Sequence, residues 1–583
     1  MSFRPESRMR LLLASLALII IPTLQAQDSV IVIDPDAPPG DSTVVQGGPP
    51  AEVIAELIAA FNDSAATRTQ GDVTFPEGSS FTGRLAHFRG SLRLAGRISG
   101  PITVVNATLY LLPGAEVSGD ILVVGGRLIH SAGARHDGAE RIFWDAAPVL
   151  RSPEGTLVLR DRQRPLGDLA TAKTSFQTGR VRTTLSLATG GTYNRVEGLP
   201  IVFGPLFELR LTKGTLARIV ARGILRTAGG GSGLTSDFGY TIRGELRASQ
   251  AGIGGRVYSE VAAIEDQPLS AAESGWAAFL LQRDYHDYFE RLGGEGYAWV
   301  RPTRPVRLEV SLRRDHERSV RATDPWSLLR NSDRWRQNPL IDDGHYFITG
   351  VEFTFDTRNQ RDMPNTGWHL RARYEHGTSD DVTPVTLPDE IRPPIPTGGG
   401  YAFDKLSLDF RRYSRLTPSL RVNGRLRAVG WVGGDRLPVQ RRVSLGGTDL
   451  LPGYDFRAFT CAPQGYNDPS DPGLCDRSIV AQVEVRTRLG LNLGYRMRDK
   501  EGGRNGRFIG IEEADLVFLG DFGDAWLAGD GPGQVPANRI PSLDEWNADI
   551  GVGLDAGEIG VYIAKGLSAG EPVKLFVRLQ RRF

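Results

Sequence analysis

The sequence predicts an all-β protein, a 16-stranded antiparallel transmembrane β-barrel preceded by a small periplasmic β-solenoid domain. Three observations predict it. From Val181 onward, segments of about ten residues alternate apolar with polar side chains, separated in turn by tight turns and by long loops rich in Pro, Asp and Gly. Strands of ~9–11 residues with short turns on one side and long loops on the other are the habit of membrane barrels. The composition agrees: 70 glycines, 40% apolar and 23% charged residues. That apolar share lies below the ~45–50% of soluble globular domains, as a barrel with a wet bore requires. Nearer the N-terminus, a β-rich unit recurs after nineteen residues, the mark of stacked coils. A chain of 583 residues holds two or more domains. Its net charge of +1 supplies no field for nucleic acid.

Residues 1–26 carry Arg4, Arg8 and Arg10, an apolar run from Leu11 to Ile21, and Thr23-Leu24-Gln25-Ala26. This pattern reads as a signal peptide cleaved after Ala26. The alternative is a membrane anchor, but the run is shorter than the ~20 residues a bilayer requires. No Cys follows it, so lipoprotein processing is not expected. No later stretch is long enough to span as a helix, so a membrane location demands a closed barrel.

Residues 27–50 read as a linker and 51–165 as the periplasmic domain. Val53, Ile54, Leu57, Ile58 and Phe61 share one face of a short helix, expected to cap an open coil end. Ile98-Ser99-Gly100-Pro101-Ile102-Thr103-Val104-Val105 is echoed by Val117-Ser118-Gly119-Asp120-Ile121-Leu122-Val123-Val124. His136-Asp137-Gly138 restarts the phase, and Phe81-Thr82-Gly83 opens an earlier turn. Inward Val, Ile and Leu would fill such a stack. The period and glycine placement resemble the bactofilin-like repeat; an irregular β-sandwich is the competing reading. The domain is either a rigid scaffold, for periplasmic or cell-wall partners or for self-association, or a spacer.

Residues 180–583 read as the barrel. Val306-Arg307-Leu308-Glu309-Val310-Ser311-Leu312-Arg313 is the clearest strand, with apolar residues on one side and charged or polar ones on the other. Residues 405–410, 419–423, 482–486 and 574–579 repeat the pattern. Tyr297, Trp299, Trp368, Trp431 and Trp526 near segment ends suit interfacial girdles.

Four pieces then stand in order: Arg442-Val443-Ser444-Leu445-Gly446-Gly447-Thr448-Asp449-Leu450-Leu451-Pro452-Gly453-Tyr454; Glu484-Val485-Arg486-Thr487-Arg488-Leu489; Phe518-Leu519-Gly520-Asp521-Phe522-Gly523-Asp524-Ala525-Trp526; and Gly551-Val552-Gly553-Leu554 before a last strand ending at Phe583. Together they resemble the outer-membrane barrels of the BamA/TamA type, the bacterial surface antigen family. The resemblance implies a tongue lying in the lumen, with Arg442, Gly446, Gly447, Pro452, Gly453 and Tyr454. It implies a partner wall of Glu484, Arg486, Asp521 and Gly523, an insertion signal at Phe583, and a weak seam between first and last strands. The family's βααβ-type periplasmic modules have no counterpart here. The family tongue ends in Arg-Gly-Tyr or Arg-Gly-Phe, its Arg pairing with the acid of the Asp-x-Gly strand. Here Pro452 stands instead, with neither charge nor backbone N–H. Arg457 or another lumen arginine would have to serve Asp521.

Other chemistry is sparse. Cys461 and Cys475 suit one loop disulfide in an oxidising compartment, a closure that stabilises by ~3 kcal/mol on chain entropy. Gly566-Leu567-Ser568-Ala569-Gly570 matches a hydrolase elbow, which needs a following helix; a strand-like run follows, so a turn is expected. His286, within Asp284-Tyr285-His286-Asp287-Tyr288, is either part of a metal or acid–base cluster or a polar strand end. Asn467, Asp468, Asp471 and Asp476 fit no set calcium loop. The expectation is therefore a monomeric outer-membrane barrel, not an enzyme, with no catalytic residue, metal or cofactor. It would contact outer-membrane lipid, client polypeptides and periplasmic or cell-wall partners, and translocate or insert polypeptide or another polymer. The alternative is a passive pore or a structural anchor tied to the cell wall through the solenoid. An outer-membrane enzyme acting through Ser568 or His286 is a third reading.

Overall fold

The computed structural model describes residues 42–45, 49–147, 149–152, 155–159, 171–189, 193–212, 214–228, 237–264, 269–330, 334–360, 363–385, 400–462, 473–496, 508–531, 533–557 and 559–583. The expected signal peptide and most of the linker lie outside them, as do Asn467, Asp468 and Asp471.

The N-terminal domain is a parallel solenoid. One sheet stacks Arg84–Leu94, Ile102–Leu111, Ile121–Val124 and Glu140–Phe143. A second stacks Ser80–Thr82, Arg97–Ser99, Glu116–Ser118 and Arg135–Asp137. Ile102 pairs with Ile121 and Val117 with His136, the nineteen-residue step seen in the sequence. The preceding coil is two residues shorter, since Phe81 pairs with Ile98. The corner glycines Gly83, Gly100, Gly119 and Gly138 all have φ between 128° and 153°. A Cβ on Gly119 would stand 2.6 Å from the main chain of Gly100, so only glycine lets the coils stack. Leu92, Val104, Leu109, Val117, Ile121 and Val123 fill the middle.

Helix α1 (Ala51–Asn62) does not cap a coil end as expected. Ile54, Leu57 and Phe61 pack on Ala86, Phe88, Val105, Leu122 and Phe143, the outward-facing residues of the first sheet. Those strands are apolar on both faces, so the helix lies across the sheet and covers the face that would otherwise meet water.

Among the described residues, the rest of the chain is built on one antiparallel sheet of 17 strands, from Thr171–Thr178 to Val573–Arg578. The additional strand is the first. Thr171–Thr178 turns at Gly179 and lies along Val181–Thr189 in an eight-pair hairpin. The sheet is inside-out relative to a soluble protein. Along Val306–Ser319, Leu308, Val310 and Leu312 are 39%, 50% and 50% exposed, whereas Arg313, Asp315 and Glu317 are 7%, 1% and 0% exposed. The greasy side faces outward and the charges inward, as a lipid-embedded barrel demands. No described helix is long and apolar enough to cross a membrane. The girdle expectation fails for Tyr297, Trp299 and Trp526, which are buried; the Tyr297 hydroxyl lies 2.8 Å from Arg243 Nε and 3.1 Å from Glu245 Oε2.

The solenoid docks against the short-turn rim of the barrel. The buried Asp145 carboxylate accepts from Asn359 (3.0 Å), Asn365 (3.1 Å) and the Arg415 guanidinium. Arg415 also donates to the carbonyls of Trp144 (3.0 Å) and Pro418 (2.9 Å).

Candidate functional site: the lumen tongue and its wall

Alternation along the strand Arg477–Arg496 puts Gln482, Glu484 and Arg486 on the inner face, all buried. The neighbouring strands Phe508–Trp526 and Asn547–Asp555 place Asp521 directly opposite Asp549, and Asp515 opposite Asp555. Arg486 Nε donates to Glu484 (2.8 Å) and its Nη1 to Asp555 (2.6 Å). These carboxylates are out of water, where an unpaired charge is costly and a well-bonded pair is tolerated.

The long connection between Leu420–Gly434 and Arg477–Arg496 folds back into this space. Arg442 donates to the Leu474 carbonyl (3.2 Å) and lies 3.4 Å from Asp476. Arg436 stands 3.3 Å from the same carboxylate. Gly446 and Gly447 take φ of 109° and 102°, a turn that side-chain-bearing residues resist. Asp449 sits 2.9 Å from Arg578 and 3.4 Å from Arg425. At the tip, the Gly453 N–H donates to Asp549 (2.7 Å) and the Tyr454 hydroxyl to the Ala548 carbonyl (2.9 Å). A Cβ on Gly453 would meet Gly566 N at 2.4 Å, so glycine is what allows the tongue this close to the wall. Pro452 is buried beside it.

Asp521 is served by neither Pro452 nor Arg457. Arg457 reaches Asp287 instead, where Arg195 and Arg336 also converge. Asp521 is met by Arg582, whose Nη2 lies 2.7 Å from Oδ2. The final strand stops at Arg578, so Phe583 does not close it; residues 579–583 turn inward and Phe583 is buried. Gly523 lies close against the next strand of the wall, where a Cβ would stand 2.7 Å from the Ile479 carbonyl oxygen.

Cys461 and Cys475 are joined, with sulfurs 2.09 Å apart. Ser568 sits in a turn between the strands Gly560–Gly566 and Val573–Arg578, 3.0 Å from the Tyr454 hydroxyl. His286 is buried with its Nε2 3.2 Å from the Leu269 carbonyl. Sequence reasoning missed Glu273, Asp449, Asp549, Asp555, Arg578 and Arg582. The one available signal was the terminal Arg578-Leu579-Gln580-Arg581-Arg582-Phe583, too cationic to be an ordinary strand end.

An inside-out antiparallel sheet with a charged bore, a loop folded into it and a periplasmic N-terminal domain defines an outer-membrane β-barrel. Residues 302–498 match the family model described as the Omp85 superfamily domain. The matched residues lie within the barrel sheet. Among solved structures, BamA from Haemophilus ducreyi lacking POTRA domains 1–3 is similar at 11% identity and a TM-score of 0.40, over 70% of this chain and 75% of that one. CdiB from Acinetobacter baumannii is similar at 11% identity and TM-score 0.30, over 70% of this chain and 65% of that one. For CdiB from Escherichia coli the values are 10%, 0.29, 70% and 63%. No curated protein sequence matches the chain.

Proposed function

We infer that this barrel inserts or translocates polypeptide at the outer membrane by opening its seam. One observation carries the reading: each strand of the sheet is laddered to its neighbour in sequence, yet among the described residues no ladder joins Val573–Arg578 to Thr171–Thr178 or Val181–Thr189. An unsatisfied strand edge is a template for another strand, and an added strand exchanges hydrogen bonds without covalent chemistry. The tongue and its buried ion pairs favour a plugged bore over a passive pore. Depletion of the protein is expected to lower the amounts of other barrels or secreted polypeptides in the outer membrane within a few generations. A steady large conductance from the purified chain in planar bilayers, with unchanged outer-membrane composition on depletion, would sink this reading in favour of a pore or anchor.

A further inference from the structure

The lipid-facing row of the strand Val306–Ser319 changes character before the strand ends. Leu308, Val310 and Leu312 stand outward, and the outward positions after them are Arg314, His316 and Arg318. Arg314 lies eight residues past Val306, ~26 Å along a strand at ~3.3 Å per residue and ~20 Å in height at a tilt of ~40°. That is the upper part of an apolar band ~25 Å tall, at the end away from the solenoid, where the long connection 320–343 leaves the sheet. The next strand, Gly344–Asp356, switches at the same level. Phe347, opposite Arg314, is 46% exposed. His345, opposite His316, stacks its ring on the His316 ring, with centroids 4.2 Å apart and planes within 12°.

The neighbouring polar groups at this height are satisfied by one another. Asp404 accepts from the Tyr374 hydroxyl (2.6 Å) and lies 2.8 Å from His376 Nδ1. Glu290 sits 2.7 Å from Arg318 and 3.4 Å from Arg226. Asp381 accepts from the His345 backbone N–H (2.8 Å) and lies 2.6 Å from its Nδ1. Arg314 and His316 are different. Among the described residues, the Arg314 guanidinium has no hydrogen-bond or ion-pair partner, and the His316 ring has none beyond its stacking. A cation on the lipid side is penalised in the middle of the bilayer and tolerated at headgroup level. An arginine at that level has one abundant counter-charge, the phosphate ester of a lipid headgroup, which its planar fork meets with paired hydrogen bonds.

We propose that Arg314, His316 and His345 form a binding site for the phosphate ester of an outer-leaflet lipid headgroup, with exposed Leu312 and Phe347 against the acyl chains of that lipid. Arg314 supplies the fixed charge, and the two imidazoles supply ring N–H donors beside it. Arg318, one step further out, adds a cation that Glu290 already offsets. A headgroup held there fixes the height of this wall in the outer leaflet. The site lies on the outer wall, apart from the tongue and the bore, and does not rest on the insertion reading above.

Native mass spectrometry of the full chain released from detergent micelles tests this, with bisphosphorylated lipid A and its dephosphorylated form as probes. A lipid A adduct is expected on the unaltered chain, with none from the dephosphorylated lipid, and an excess of inorganic phosphate at matched ionic strength should leave it in place. The adduct should fall at least ~5-fold in Arg314→Gln and in His316→Gln, and stay within about threefold in Arg314→Lys. It should be unchanged in Arg412→Gln, which removes the lipid-side arginine lying 4.3 Å over the Trp368 ring at the short-turn rim. Equal adducts with the dephosphorylated lipid overturn the site, as do folded Arg314→Gln and His316→Gln chains, judged by heat-modifiable gel mobility, that keep the adduct. An equal loss in Arg412→Gln overturns it, because any lipid-side cation would then serve. Displacement by inorganic phosphate overturns the lipid assignment in favour of the free ion. Failure of both glutamine variants to fold also overturns it, because the two side chains are then structural.

Discussion

The two domains solve opposite problems with the same strand. In the solenoid, Val104 and Ile121 are buried and the charged residues Arg97 and Glu116 pair on the surface at 2.6 Å. In the barrel, Val310 and Leu312 are exposed while Arg486 and Glu484 are fully buried. The solenoid is held by apolar side chains filling a middle that water never reaches. The barrel has lipid outside, so its outer apolar residues gain little from one another, and its interior is held by paired charges. The lesson is that stability in this chain is hydrophobic on the periplasmic side of the rim and electrostatic above it.

That contrast is easiest to break in the lumen. Arg486→Met takes from buried Glu484 and Asp555 their nearest cation, leaving only the longer contacts to Arg582 and Arg581, and removing one partner of a buried pair costs roughly 3–5 kcal/mol. Urea unfolding of the full chain in vesicles should show the barrel transition falling by that amount, while hydrogen exchange of peptides from 84–124 stays unchanged. The complementary change is Ile121→Ala in the solenoid middle, where loss of buried volume costs roughly 2–5 kcal/mol. Here exchange should rise across 102–143 and the barrel transition should not move. Asp145→Ala at the rim is expected to cost less, about 1–3 kcal/mol, because Arg415 keeps its two carbonyl acceptors. It should loosen peptides 357–366 and 416–419 together with the last coil.

The smallest effect sharpens the electrostatic part of the solenoid. Burial works to raise the Glu140 carboxyl, but hydrogen bonds from His130 and His136 outweigh it and bring it down to about 2. Burial likewise opposes charge on His136, yet its bonds to Glu140 and the Gly119 carbonyl raise its pKa above the ordinary 6.5. The depressed carboxyl contributes stability that is full above its ordinary 4.5 and fades as pH falls toward about 2. The raised imidazole contributes stability that is full below 6.5 and fades as pH rises through its elevated value. Protection of residues 135–143, corrected for intrinsic exchange, should therefore peak between pH 4.5 and 6.5. His136→Gln should flatten the alkaline side of that profile and, because one of the two histidines holding Glu140 down is lost, also weaken its acid side.

Much of this is legible in the chain. The period-two alternation announces the barrel, and the echo of Ile98–Val105 in Val117–Val124 announces the solenoid, because both signals are local and repeat. The first strand, Thr171–Thr178, is not legible as one: Thr, Lys, Ser and Gln leave Phe176 almost alone as an apolar marker, and only pairing with Val181–Thr189 makes it a strand. Helix α1 is visible as an amphipathic helix, but its seat is not, since nothing local says which of two apolar surfaces it covers. The tongue is visible as a Gly-rich insertion with a proline out of place.

The amino-acid order by itself determined which side of each strand is greasy, where coils turn and where charges accumulate, since these follow from spacing along one dimension. Tertiary structure alone decided which charge meets which. Arg582 and Asp521 are 61 positions apart, and their pairing follows from how the sheet curls and where the tail turns in, a geometry no periodicity encodes.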